Sequence, residues 1–453
     1  MNPLNRRRDV AIGVALFAYV LAIRTFDVAS TFLMLGEQTR DWAIALGGLT
    51  ELPLVGAPST AGGRGFGPAY YYLLWLGRVT LGPFMDNLPH AGGVTVALLQ
   101  SIGDVWLFLA LSRRINWALA LATCLLIASG PFDIAISSVI WNPPVSAALI
   151  KMAIAMALTL KTTSPLWHTA ATAGLAWGAV QAHLSGVFVA APLLGALAIR
   201  AFFDRSTDVR PSFYQRSRPA LIIVGVVLAL QIPFLISIVS DPAAPAGPST
   251  AIAGLTNPQA FRPWLAYDSV TGITGNLVLP MPDTPLVFAI ATLIGGAIVA
   301  LVYRRDPIVL AVTIGGVVTA TLLFTTSTRN YDGYWFIPLV PALTLTFAMA
   351  IAAIPWQRAL TPLGLALVIW FATWQPGRIE HSKAFFEYPQ YDTMLRGSRE
   401  IAMRAPVVRD IKVAFDVHPT MDRHFIYTIL GGRIDSSALY TAVINADGTV
   451  RIE

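Results

Sequence analysis

Two carboxylates, Glu37 and Asp41, stand four residues apart in the run Gly36-Glu37-Gln38-Thr39-Arg40-Asp41-Trp42. On a helix that spacing puts both on one flank. A carboxylate so placed can serve as a general base, taking the proton of a hydroxyl or amine as it attacks a sugar carbon. The same residues also describe an exposed acidic turn paired to Arg40. Further on, Pro53-Leu54-Val55-Gly56-Ala57-Pro58-Ser59-Thr60 and Gly62-Gly63-Arg64-Gly65-Phe66-Gly67-Pro68 lead into Tyr70-Tyr71-Tyr72-Leu73-Leu74. Glycine-rich backbone allows close approach to a phosphate or sugar, and Arg64 can supply charge there, but the spacing is neither a P-loop nor a dinucleotide fingerprint. A flexible connecting loop has the same composition.

What positions these residues is a membrane. The chain has 453 residues, 55% hydrophobic and only 12% charged, with a mean hydropathy of +0.63, whereas a soluble domain carries about 25% charged residues. Apolar runs long enough to cross a hydrocarbon core of about 30 Å predict helices near 10–33, 92–112, 115–135, 143–160, 165–182, 184–202, 219–239, 284–303, 307–325, 335–354 and 361–375. Arg6-Arg7-Arg8 before the first run resembles the start of a signal peptide, but no small-residue cleavage site follows, so a retained first helix is expected. With a cytoplasmic N-terminus the basic clusters at 6–8, 113–114, 161, 200–218, 304–305 and 358 all fall inside, as the positive-inside rule requires. The formal charge of +6 is thereby assigned to helix ends and not to nucleic-acid binding. The one cysteine, Cys124, lies in an apolar run and excludes any disulfide framework within the chain.

The expected organisation is thus an all-α polytopic module over 1–375, with external segments at 36–91 and 240–284, and a small external α/β unit over 376–453. The aromatic run at 70–76 is expected as an amphipathic helix lying along the interface. The proline-rich stretch 241–284 is expected as ordered loop or lid more than helix. In the tail, helices are predicted at 388–405 and 421–430, a strand at 411–417, and a hairpin of 438–444 with 449–452 turned at Asn445-Ala446-Asp447-Gly448.

The run from Glu37 to Leu74 resembles the first external loop of bacterial polyprenyl-phosphate-sugar glycosyltransferases of the GT-C fold, such as the protein O-mannosyltransferase relatives and the lipid A aminoarabinose transferase. Ile140-Trp141-Asn142-Pro143, Gln181-Ala182-His183-Leu184 and Tyr334-Trp335-Phe336-Ile337-Pro338 extend the likeness in the expected order. The resemblance implies inverting sugar transfer from a polyprenyl-phosphate donor to a lipid, glycan or protein acceptor, at the external face of a bacterial inner membrane. It assigns the base to Asp41 or Glu37, with Asp41 narrowly preferred. A second family carboxylate is replaced by Asn142, which puts a divalent cation in doubt, although an amide still bonds sugar hydroxyls. No cofactor is assigned beyond the polyprenyl-phosphate-sugar donor as substrate, and a divalent cation stays open. The donor phosphate needs cations, for which Arg64, Arg78, Arg262 and Arg329 are the external candidates. Arg329 is preferred, with Tyr331 and Tyr334 able to stack on sugar; an interfacial arginine among belt tyrosines would look alike. His183 could touch the acceptor or a metal, or be a hydrogen-bonded structural residue. Tyr71 completes the substrate-binding set. Arg24 and Asp27 are read as a local pair, and His418 and His424 are assigned no chemistry. A transporter or flippase, or a non-catalytic scaffold of the same fold, is the alternative; no inverted repeat of the transporter kind is visible.

Overall fold

The computed structural model describes residues 3–58, 65–161, 164–203, 212–240, 262–279, 285–325, 332–383 and 390–453. Each predicted span contains a helix: α1 Pro3–Thr25, α5 His90–Leu111, α6 Trp117–Ala128, α8 Asn142–Thr159, α9 Leu166–Ala182, α10 Val187–Phe203, α11 Phe213–Ser240, α13 Pro285–Val302, α14 Pro307–Phe324, α15 Val340–Ala352 and α16 Gln357–Lys383. Between them lie α2 Val28–Thr31, α3 Gly36–Leu46, α4 Ala69–Leu81, α7 Pro131–Ile136 and α12 Pro263–Val278. By length and composition, His90–Leu111, Phe213–Ser240, Pro307–Phe324 and Gly333–Ala352 suffice to cross a membrane. Along α11, Leu221, Val224, Leu228, Ile232, Leu235 and Ile236 point outward. Such a stripe is stable only against lipid, and the chain is a multi-pass membrane protein.

The breaks have local causes. The run 10–33 is two helices because Asp27 adopts the left-handed conformation at φ 51°. The run 115–135 is divided at Ser129-Gly130, and Pro131 opens α7 at its first turn, where a missing N–H costs nothing. Asn116 and Asp306 accept the first free N–H groups of α6 and α14. The stretch 241–284 departs from expectation: 241–261 and 280–284 lie outside the described residues, but 263–278 is helix, with Pro263 harmless at its start. α12 packs across α13 and α14 and against the turn Gly333–Leu339.

α5 and α8 form the centre, flanked by α1, α6 and α9. Gly93 lets α5 pass over the Ser138 carbonyl and the Phe32 ring; a Cβ there would collide with both. Inside this centre Arg24 reaches Asp104 on α5 and Asp133 on α7, each at 2.7 Å, and Lys151 on α8 meets Asp104 at 2.6 Å. The expected Arg24–Asp27 pair is therefore replaced: the left-handed turn removes Asp27 from the helix, and the buried Asp104 and the partly buried Asp133 on other helices satisfy the guanidinium.

In the tail, α17 Tyr391–Arg404 and α18 Phe425–Ile429 accompany strands β1 Val407–Val408, β2 Asp410–Val413, β3 Arg433–Ile434, β4 Thr441–Ile444 and β5 Val450–Ile452. β2 runs parallel to β4, which pairs antiparallel with β5 through the predicted hairpin; β1 and β3 pair separately. The strand expected to reach 417 stops at Val413, where its pairing with Ile444 ends. α17 sits on the loops of the helical body: the Tyr391 hydroxyl is 2.7 Å from His90 Nδ1 and its ring meets Phe32 edge-on.

Candidate active site

The sequence folds locally so that the two carboxylates part company. α3 starts at Gly36, with the Gln38 side chain accepting the Leu35 N–H at 3.0 Å. Arg78 of α4 donates to the carbonyls of Ala45, Leu46 and Gly47, closing the far end of α3. Arg78 is thus engaged as a helix cap and is not among the residues of the cavity described below. Held at both ends, α3 packs against α4 and presents Asp41 to it. Tyr70 and Tyr71 donate to the Asp41 carboxylate at 2.9 and 3.1 Å, and Arg40 bonds it at 2.8 Å. Asp41 is 2% exposed. Burial raises its pKa despite the opposing pull of Arg40 and the tyrosines. Burial beside Asp41 also pushes both tyrosines well above their usual value, so they stay protonated donors.

Glu37, one turn earlier, is exposed. It lines an open cavity of about 620 Å³ together with Leu33, Leu35, Arg40, Trp141, His418 and Thr420. The first wall comes from the segment before α3, the second from residues between α7 and α8, and the third from the tail. The Gly36 N–H donates to Thr420 Oγ1 at 3.2 Å, joining the first wall to the third. A pinned guanidinium and an exposed carboxylate thus face one space whose remaining surface is partly apolar. That combination can bind an anionic group while accepting a proton.

The other predicted residues are distributed as follows. Tyr71 supports Asp41. Asn142 donates to the Ala182 carbonyl at 3.1 Å, tying α8 to α9. His183 is buried, its Nδ1 2.6 Å from Ser185 Oγ, and its ring meets Tyr334 and Trp335 edge-on. Tyr334 in turn stacks at a tilt on Trp141, with centroids 5.5 Å apart, so these aromatics buttress the cavity wall. Arg262 starts α12, its N–H bonded to the Thr325 carbonyl, and is not among the cavity residues. Arg64, Arg329 and Tyr331 lie outside the described residues. Among the described residues no group of three His, Cys, Asp or Glu side chains converges as a metal site. Sequence reasoning passed over Arg40, Trp141 and His418 as site residues. Arg40 and Trp141 stood inside motifs already singled out, whereas nothing in the sequence places His418 near Glu37, 381 positions away.

This architecture is the GT-C fold of polytopic membrane glycosyltransferases. In particular, the chain is similar to crystal structures of ArnT from Cupriavidus metallidurans. For ArnT bound to undecaprenyl phosphate the TM-score is 0.55 at 13% identity, covering 97% of this chain and 87% of that one. For ArnT in the apo state it is 0.54 at 14%, covering 93% and 83%. The oligosaccharyltransferase of Archaeoglobus fulgidus gives 0.47 at 12%, covering 94% and 64%. No family model and no curated protein sequence matches the chain.

Proposed function

We propose that the protein is a glycosyltransferase that moves a sugar from a polyprenyl-phosphate donor to an acceptor at the external face of a bacterial inner membrane, with Glu37 as general base. The observation that carries this reading is Glu37 and Arg40 on one cavity, with Arg40 held by a carboxylate that is itself buried. The fold shared with an ArnT that binds undecaprenyl phosphate supports the donor class.

The polyprenyl chain stays in the bilayer while its phosphate-linked sugar enters the cavity past Leu33, Leu35 and Trp141. Glu37 takes the proton from the acceptor hydroxyl or amine, whose oxygen or nitrogen attacks the anomeric carbon. The bond from that carbon to the phosphate oxygen breaks, and polyprenyl phosphate leaves with its charge met by Arg40. One displacement inverts the anomeric centre. Glu37 is preferred to Asp41 for the proton step because the Asp41 oxygens are engaged by three donors and Asp41 is not among the cavity residues.

The test is transfer of labelled sugar by the purified protein from a panel of polyprenyl-phosphate sugars, wild type beside Glu37→Gln and Asp41→Asn. Collapse of turnover in Glu37→Gln alone, with donor affinity kept, supports the assignment. Collapse in Asp41→Asn with an active Glu37→Gln returns the base to Asp41. A wild type inactive on every donor, while an ArnT works in the same detergent, overturns the transferase reading.

A further inference from the structure

A second cleft adjoins the first. It is open, holds about 290 Å³, and is lined by Asp410, His418, Asp422, Arg423 and His424 of the tail. His418 lines both spaces. Its position is built: the Thr420 hydroxyl accepts the Gly36 N–H at 3.2 Å and lies 2.8 Å from His418 Nδ1, which also accepts the Thr420 N–H at 3.3 Å. His424 Nε2 is 2.7 Å from Asp410 Oδ1, and Asp422 accepts the N–H groups of His424 and Phe425 and so fixes the loop ahead of α18.

The two spaces differ in chemistry. The first has Leu33, Leu35, Val139 and Trp141 beside its charged groups, which suits a sugar phosphate carrying a hydrocarbon tail. The second is walled by two carboxylates, two imidazoles and a guanidinium together with Ile411, Pro419 and Met421, all on the tail. Its polar lining holds both hydrogen-bond donors and acceptors, which suits a ligand whose groups are both, as hydroxyls are. Its size is close to the lower bound of small-ligand sites, about 300 Å³.

We propose that this cleft is the acceptor subsite and that it takes the hydroxyls of a saccharide, which His418 aligns toward Glu37. The proposal rests on the transferase reading above, and His418 acts as a positioning residue.

The experiment uses the full chain and a polyprenyl-phosphate sugar that the wild type hydrolyses or transfers. The acceptor probes are short oligosaccharides of mannose, glucose and arabinose, beside an alkyl amine. In Arg423→Ala and His424→Ala the acceptor KM for the saccharide rises at least tenfold, while the donor KM moves less than twofold. His424→Gln, which keeps a hydrogen-bonding side chain, recovers part of the loss. An unchanged acceptor KM in both variants overturns the subsite, as does a shift confined to the donor KM or a wild type that uses only the amine. Hydrogen exchange on the wild type is read independently of turnover: saccharide must protect 410–424. If no donor is turned over but saccharide protects that segment, the transferase reading fails and the saccharide site stands. If exchange is unaltered, the site fails with or without turnover.

Discussion

Glu37 and Asp41 are chemically alike and one helical turn apart, yet only one of them lines the cavity. The difference comes from Tyr70 and Tyr71, which meet α3 from α4 and enclose Asp41. Glu37→Gln is therefore expected to lower kcat by roughly 10²–10⁴-fold with little change in donor KM, as measured by initial-rate transfer kinetics. Asp41→Asn instead loosens Arg40, so its main effect is a raised donor KM. The pH dependence has a definite sign. Because burial raises the Asp41 pKa, on acidification it takes up its proton at a higher pH than an exposed carboxylate does. The anchor on Arg40 weakens there, so donor KM rises on acidification at a pH above that at which exposed carboxylates take up their protons. That limb should flatten in Asp41→Asn; a limb that persists in the variant assigns it to another group. The acidic pair and Arg40 were legible in the sequence as a motif. Which carboxylate is free was not, because spacing along one helix says nothing about tyrosines brought in by the next.

Among the elements, apolar runs foretold where each crossing helix lies, since lipid leaves a chain few other ways to satisfy its backbone. The interruptions were less legible. The left-handed turn at Asp27 and the division at Gly130 accompany an ion cluster in which the partners of Arg24, Asp104 and Asp133, lie 80 and 109 positions away. α12 was hidden because prolines that end a helix in its interior are harmless at its first turn. Arg24→Ala leaves Asp104 and Asp133 with Lys151 as the remaining cation of the cluster, and breaking such a buried pair costs about 3–5 kcal/mol. Thermal unfolding in detergent should show a clear drop in Tm. Arg24→Met combined with Asp133→Asn, which preserves the Asp104–Lys151 pair, should recover much of it. If the double variant is no more stable than Arg24→Ala, charge balance is not what the cluster contributes.

At the scale of the whole molecule, the tail forms one wall of the cavity and does not hang free of the body. Tyr391 against Phe32 and His90, and Thr420 against Gly36, hold it there. Replacing 417–421 by a Gly-Ser linker should leave the helical body folded, as judged by unchanged helicity, and cut transfer at least tenfold through water entry and loss of the third wall. Transfer at the wild-type rate would show that the wall is dispensable. The hairpin of this region was readable from its Asn445 to Gly448 turn, and the parallel pairing of β2 with β4 was not, since a parallel partner is chosen through the helix and strands between them.

The buried charges also constrain how the chain is made. Arg24 enters the membrane in α1, ahead of Asp104, Asp133 and Lys151 in the order of synthesis. At about 5–20 residues per second the first carboxylate, Asp104, follows after roughly 4–16 s. Until then the arginine has no carboxylate partner from these helices, and it is stable only by reaching for the lipid headgroups or a wet channel. On this account α1 settles at its final depth only once α5 and α7 have been delivered, drawn in by helices that follow it.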